Sequence, residues 1–162
     1  MRVFKLLLIS AIVLFLVLTT IAALLPSEVR ISRAIDINRP AREVYPWVAE
    51  IRHWENWNLF VAKLEDKQWA AGRVSGKTMT ISLKQTNTNV VVTEWRQPDG
   101  KVFTGGFNLI ANDSLTTVQW YFDFTFKWYP WEKFSSIVYD AQVGPAMQES
   151  LMNLKNQVED VR

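Results

Sequence analysis

TTVQWYFDFTFKW, residues 116 to 128, is the stretch of this sequence that decides the fold. Its apolar and polar side chains alternate strictly, which is the period of a β-strand with one buried face. Six large apolar side chains on one face are unstable in water, so another element must cover them. The apolar face of this predicted strand consists of Val118, Trp120, Phe122, Phe124, Phe126 and Trp128.

The last third of the chain has the pattern of an amphipathic helix that can cover this face. From about Trp131 onward, apolar residues recur at spacings of three and four. They are Phe134, Ile137, Ala141, Gly144, Met147, Leu151, Leu154, Val158 and Val161. Because proline cannot donate the helical hydrogen bond, we expect a kink or two abutting helices near Gly144 and Pro145.

Four further segments predict a meander of antiparallel strands, and the first two of them alternate in the same way. They are VRISRAIDI (29–37), KTMTISLKQ (77–85), NVVVTEW (89–95) and VFTGGFNLI (102–110). QPDGK, residues 97 to 101, has the sequence of a turn. Gly105 and Gly106 suggest a β-bulge where the sheet curves.

A short pair of helices is predicted between the first strand and the meander. Pro40 suits a first helical turn, and Asn38 can cap it. The residues that follow at helical spacing are Val44, Trp47, Val48 and Ile51. The predicted fold class is therefore α+β, with a curved antiparallel sheet wrapped around a long carboxy-terminal helix.

The amino terminus carries an uncharged apolar run, LLLISAIVLFLVLTTIAALL, from Leu6 to Leu25. A helix of about 20 residues spans roughly the 30 Å hydrocarbon core of a bilayer. Secretory signals have a shorter apolar region of about 7–15 residues and a small-x-small cleavage site, whereas Ile21 is large. We therefore predict a transmembrane anchor over residues 1–26, with a signal sequence as the alternative, and a folded domain over residues 27–162.

The charges that flank this run give opposing indications of membrane orientation. Arg2 and Lys5 favour a cytoplasmic amino terminus, whereas four arginines on the other side argue the reverse. These are Arg30, Arg33, Arg39 and Arg42. Folded domains cross a membrane largely regardless of such charges, so we expect a single-pass protein of the cell membrane whose domain lies on the outer, periplasmic or extracytoplasmic, side.

The composition argues against several kinds of site. After Leu25 the chain holds 16 acidic and 16 basic residues with no basic stripe, so we expect no nucleic-acid partner. It contains no cysteine and one histidine, so we expect no metal. It has no phosphate-binding glycine loop and no serine nucleophile elbow, so the sequence indicates no cofactor and no catalytic residue.

Both ends of the domain carry motifs that resemble those of a known superfamily. In VRISRAIDINRPAREVYPWVAEIRHWENWN (29–58) they are Ile35, Ile37, Pro40, Val44, Tyr45, Val48, Trp54 and Trp57. In GPAMQESLMNLKNQVE (144–159) they are Ser150, Leu151, Leu154, Lys155, Val158 and Glu159. Together they resemble the SRPBCC superfamily of START-like and polyketide cyclase/dehydrase-like domains. This resemblance covers residues 28–160 and implies a helix-grip fold with a cavity between the sheet and the last helix; similar members carry one amino-terminal membrane anchor.

The resemblance also assigns roles around the only histidine. Trp54 and Trp57 resemble packing residues that lay a short helix against the sheet, and His53 is expected beside them at the surface. The chain departs from the superfamily at AAGRVSGK (70–77), where the second hairpin is shorter and lacks an expected tryptophan. We therefore expect an altered cavity mouth.

The implied cavity defines the candidate ligand-binding residues. Its aromatic walls suit an apolar ligand, but the same side chains can instead fill the space. Arg33 lies on the apolar face of the first strand, where it can meet an anionic head group, pair with Glu94 or extend its head to solvent. The candidates are Arg33, Glu94, Trp95, Phe103, Phe107, Trp120, Phe122, Phe124, Phe126, Met147, Leu151 and Leu154.

Three functions are compatible with these features. The first is a membrane-anchored domain that binds a lipid or another small apolar ligand. The second is a protein-interaction or regulatory domain of the cell envelope that has a filled core and a protein partner of unknown identity. The third is a cyclase-like or dehydratase-like enzyme, for which Arg33 and Glu94 are the titratable candidates.

Overall fold

Seven antiparallel strands form one sheet in the order β1-β7-β6-β5-β4-β3-β2. The computed structural model describes residues 2–160, apart from the side chain of Ile137; Val161, the last position of the predicted apolar pattern, lies outside them. The strands are β1 (Glu28–Ile37), β2 (Gln68–Ala70), β3 (Arg73–Ser75), β4 (Thr80–Asn87), β5 (Val90–Arg96), β6 (Val102–Asn112) and β7 (Leu115–Thr125).

The helices lie at the amino terminus, after β1 and after β7. They are α1 (Arg2–Leu24), α2 (Ala41–Ala49), a 3-10 helix (Ile51–Asn56), α3 (Leu59–Ala62) and α4 (Pro130–Asp160). Their arrangement confirms the predicted α+β helix-grip fold. α4 is one continuous helix that includes Pro145, so the alternative of two abutting helices is wrong. Packing on both sides of the proline holds the helix together, since Tyr139 contacts the sheet before it and Leu151 is buried after it.

Two local predictions are also wrong. β7 ends at Thr125, so Trp128 does not continue its apolar face and is instead exposed before α4. Asn38 does not cap α2, because its side chain and backbone nitrogen both donate to Glu159 Oε1 at the end of α4. The N-cap position of α2 is Pro40.

The glycine pair of β6 lies in regular sheet and not in a bulge. Gly105 and Gly106 keep an unbroken register with β5 and β7, and the irregularity of the sheet lies in β4 between Leu83 and Gln85. A Cβ atom on Gly105 would lie 2.6 Å from Cδ1 of Phe122, its cross-strand partner. The missing side chain therefore makes room for an aromatic ring.

The 3-10 helix and the residue that follows it pack two tryptophans into the core. Trp54 and Trp57 are fully buried, and their indole nitrogens donate to the carbonyls of Val48 and Trp47 at 3.0 and 3.1 Å. His53 stays at the surface against the ring of Trp47. This confirms the packing role predicted for Trp54 and Trp57.

α1 is fastened to the start of α4. Ala22 is fully buried, and Lys133, only 4% exposed, donates from Nζ to the Leu25 carbonyl and to Ser27 Oγ, both at 2.8 Å. Burying an ammonium group costs several kcal/mol unless partners compensate it. These contacts therefore hold the end of α1 in place against the domain. By its length and composition alone, α1 could cross a membrane.

We predict that Gly105→Ala lowers the free energy of unfolding by about 1–3 kcal/mol, because the added methyl group overpacks the ring of Phe122. Urea unfolding of the full chain in detergent, followed by tryptophan fluorescence, measures the change. In a Phe122→Leu background, Gly105→Ala should lower the free energy of unfolding by a smaller amount, since the smaller side chain at position 122 leaves space for the methyl group. An equal loss of stability in both backgrounds would contradict the claim that Gly105 makes room for the ring of Phe122.

Candidate functional site

Ten of the twelve candidate residues, all except Arg33 and Glu94, fall into two groups that lie at different depths. Seven of them are no more than 1% exposed and form a packed interior, while three lie at an open cleft. The packed group consists of Trp95, Phe107, Trp120, Phe122, Met147, Leu151 and Leu154. The cleft group consists of Phe103, Phe124 and Phe126.

Aromatic rings fill the interior between the sheet and α4. The ring centroids of Trp95 and Phe122 are 4.9 Å apart, and those of Phe107 and Trp120 are 5.2 Å apart. Trp54 closes the same cluster, 5.3 Å from Phe107. These separations are typical of direct ring contact. The part of the implied cavity around these rings is therefore occupied by side chains.

Two buried nitrogen atoms within the described residues have no hydrogen-bond partner. They are Trp120 Nε1 and Asn58 Nδ2. Asn58 uses its other side-chain atom to cap α3, accepting from the backbone nitrogens of Phe60 and Val61. An unpaired buried donor costs about 1–3 kcal/mol, so ring packing and apolar burial hold Trp120 in place without help from its indole nitrogen.

An open cleft remains between the start of β6, the end of β7 and the first half of α4. This rim cleft has a volume of about 270 Å³. Its aromatic wall is continuous, because Tyr139 on α4 lies 4.9 Å from Phe124 and 5.2 Å from Phe126, and Phe103 lies 4.8 Å from Phe124. The polar residues that line it are Gln97, Lys101, Thr125, Lys127, Glu132 and Ser135. An apolar group can bind against the rings while a polar end faces these side chains.

Arg33 and Glu94 do not share a pocket. Arg33 lies under α4, where Gly144 leaves room for its guanidinium group, and Nη2 donates to Asp140 at 2.8 Å. Glu94 lies on the outer face of β5, because its neighbours Thr93 and Trp95 are the buried ones. The suggested ion pair between Arg33 and Glu94, and their pairing in catalysis, are therefore wrong.

Glu94 has partners of its own on that outer face. Lys84 Nζ and Arg96 Nη2 both lie 3.2 Å from its Oε1 atom. The hydrogen bond from Lys84, helped by Arg96, lowers the pKa of Glu94 below its usual value. The side chain is therefore ionised at neutral pH and is a poor proton donor.

A second and more open groove lies beside the β2–β3 hairpin. It has a volume of about 410 Å³ and is lined by Ala49, Glu50, Ile51, Arg52, Ala70, Ala71, Gly72 and Leu83. Part of this lining comes from residues 70–77, where the sequence departs from the superfamily. The groove lacks aromatic side chains. Within residues 2–160, no group of three or more histidine, cysteine, aspartate or glutamate side chains comes together to hold a metal ion.

The sequence reasoning missed Tyr139, which closes the rim cleft from the side of α4. Helical spacing contained a signal for it, since Tyr139, Val143 and Met147 follow one another at spacings of four and all pack against the core. The polar lining carried no comparable signal. Lys101 and Gln97 come from the β5–β6 turn, and only the fold brings that turn near α4.

Comparison with solved structures shows the same fold in proteins of low sequence identity. The Zhui aromatase/cyclase from Streptomyces sp. R1128 is 14% identical with a TM-score of 0.58, over 82% of this chain and 94% of that one. A START superfamily protein from Mycobacterium smegmatis is 13% identical with a TM-score of 0.59, over 82% and 99%. DynU16, from the dynemicin biosynthetic locus, is 16% identical with a TM-score of 0.57, over 83% of this chain but 48% of its own length.

Among curated proteins, none matches this sequence. The profile of the family described as "Polyketide cyclase / dehydrase and lipid transport" matches residues 28–159, which include the whole sheet and nearly all of α4. The chain therefore belongs to the polyketide cyclase/dehydrase and lipid transport family.

Proposed function

We propose that this protein is a membrane-anchored domain that binds a lipid or another small apolar ligand in the rim cleft. The observation that carries the proposal is the row of four aromatic rings, those of Phe103, Phe124, Phe126 and Tyr139, at an open end of the grip. Because the interior is filled, the ligand site lies at the rim and not between the centre of the sheet and α4.

The dimensions of the rim cleft support a small ligand or a single chain. Its volume of about 270 Å³ lies just below the range of roughly 300–1,000 Å³ for pockets that enclose a drug-sized molecule. One acyl chain or a small ring system fits this space better than a complete phospholipid. Lys101 and Lys127 at the cleft suit an anionic end of such a ligand.

The character of α1 supports the membrane anchor. It is a helix of 23 residues that contains a stretch of 18 residues with a mean hydropathy of 2.8, and only 6% of that stretch is buried against the domain. A core helix of a soluble protein would be largely covered by the rest of the chain. The exposed apolar surface of α1 is instead suited to acyl chains.

The placement of the flanking arginines supports a domain on the outer side of the cell membrane. Arg30 is bound by Asp123 and Arg33 by Asp140, so both belong to the folded domain and not to a flexible loop beside the membrane. Charges within a translocated domain have little effect on topology. Arg2 and Lys5 then determine the orientation, with the amino terminus in the cytoplasm.

A second candidate function is a protein-interaction domain of the cell envelope. It is favoured by the filled interior, where Trp95, Trp120 and Phe122 leave no room for a ligand. Both functions use the same fold and anchor. They differ in whether an apolar molecule occupies the rim cleft.

We predict that a diazirine-labelled fatty acid in nanodiscs crosslinks to the full chain at the rim cleft, in peptides that contain Phe103, Phe124 or Tyr139. Ser135→Phe, which fills the cleft, should reduce this crosslinking by roughly tenfold or more, equivalent to about 1.4 kcal/mol of binding free energy. Mass spectrometry of the digested protein measures both effects.

The matched control for this experiment is Ala71→Phe, which places the same bulk in the groove beside the β2–β3 hairpin. It should leave the crosslinking of the rim cleft unchanged. Equal crosslinking in wild type and Ser135→Phe would argue against the rim cleft as the site. Absence of crosslinks in the domain of wild type would favour the protein-interaction function.

The orientation is tested with single cysteines, since the natural chain has none. We predict that a membrane-impermeant maleimide labels Ser114→Cys, in the exposed β6–β7 turn, on cells with an intact cell membrane and a permeabilised outer envelope. Val3→Cys should be labelled only after the cell membrane is lysed. The opposite pattern would place the domain in the cytoplasm.

A further inference from the structure

Three aromatic side chains at the junction of β7 and α4 pack on one another and not in the core. Trp128 and Trp131 are each 65% exposed. The rings of Tyr129 and Trp131 are stacked with their centroids 5.0 Å apart, and the ring of Trp128 lies 4.8 Å from that of Tyr129. We name Trp128, Tyr129 and Trp131 the aromatic patch. Two exposed tryptophans side by side are unfavourable in water and mark a contact surface.

The fold fixes this patch beside the end of α1. Upstream of the patch, the backbone nitrogen of Phe126 donates to the carbonyl of Ser27 at 2.8 Å. Downstream of it, Lys133 binds Leu25 and Ser27. Trp128 is two residues from Phe126, so their Cα atoms are at most about 7 Å apart. The patch therefore lies within a few residues of the point where the chain leaves α1.

The same surface continues along α4. Val138 follows Trp131 by seven residues, which places both on one face of the helix, and both are exposed. The patch also adjoins the rim cleft, because Lys127 and Glu132, its immediate neighbours in the sequence, line that cleft. One end of the domain thus combines an apolar helix end, exposed tryptophans and the cleft.

We infer that the aromatic patch inserts into the interface of the bilayer that α1 spans and turns the rim cleft towards that bilayer. This inference rests on the proposed membrane anchor and refines it, since it makes the ligand a molecule taken from the same membrane. Tryptophan and tyrosine concentrate where head groups meet acyl chains, because their rings are apolar and their N–H or O–H groups are polar. The patch lies where α1 would leave the hydrocarbon core.

Quenching of tryptophan fluorescence by brominated phosphatidylcholine tests the inference on the full chain in liposomes. Of the eight tryptophans, none lies in α1, and Trp54, Trp57, Trp95 and Trp120 are buried in the core. Bromine contacts should therefore report mainly on Trp128 and Trp131. Lipid brominated close to the head group should quench wild type more strongly than lipid brominated near the chain end.

The decisive variant is Trp128→Phe combined with Trp131→Phe, which keeps the patch apolar. Quenching should fall about twofold or more, because the interfacial tryptophans are removed. Trp69→Phe is the matched control and should leave quenching unchanged, since Trp69 lies on β2, at the opposite edge of the sheet from β1. Quenching that is equal in wild type and the double variant overturns the inference.

Flotation of the same liposomes separates this inference from the proposed function. If the wild-type protein floats with the vesicles but its tryptophan fluorescence is not quenched, it is anchored without an inserted aromatic patch. That result overturns the inference about the patch alone. A chain that does not float, or that alkaline carbonate releases from the vesicles, overturns both the anchor and the patch.

Discussion

Burial of the aromatic face of β7 is the constraint on which the rest of the structure depends. β7 is paired on both edges, with β1 and β6, so its large side chains can be covered only from the face of the sheet. α4 supplies Met147, Leu151 and Leu154. The 3-10 helix supplies Trp54, and Trp57 follows directly after it. Because these groups come from distant parts of the chain, the cover forms only when β1, the helices and the sheet are all in place.

The same aromatic row explains why the proposed ligand site lies at the rim. Near the middle of β7, Trp120 and Phe122 are surrounded by rings from three other segments and leave no space. Towards its end, the ring of Phe124 contacts those of Phe103 and Tyr139. Beyond the strand, the ring of Phe126 contacts that of Tyr139, and the cleft stays open. The filled core and the apolar cleft have one cause: the aromatic row of β7 extends beyond the side chains that cover its middle. A stable interior and a candidate binding site therefore coexist in a small domain.

Sequence periodicity predicted what depends on local repetition, namely the long strands and α4. It did not find β2 and β3 as strands, because three residues are too few to show an alternation. It placed Trp128 on β7 because alternation does not indicate where a strand ends. It brought Arg33 and Glu94 together although Glu94 alternates with the buried Thr93 and Trp95. Whether aromatic side chains fill a cavity or line it depends on ring positions contributed by several segments, and no single segment contains that information.

Lys133 links α1 to the folded domain through electrostatics. The last carbonyls of a helix lack partners within the helix and carry partial negative charge. Lys133 donates to the carbonyl of Leu25, just past α1, and also to Ser27, so its charge is compensated although it is buried. Three residues separate Leu24 at the end of α1 from Glu28 at the start of β1. With so short a connection and a buried lysine across it, the domain has little freedom to rotate about α1. In the proposed membrane orientation, the direction in which the rim cleft faces is therefore set by the fold itself.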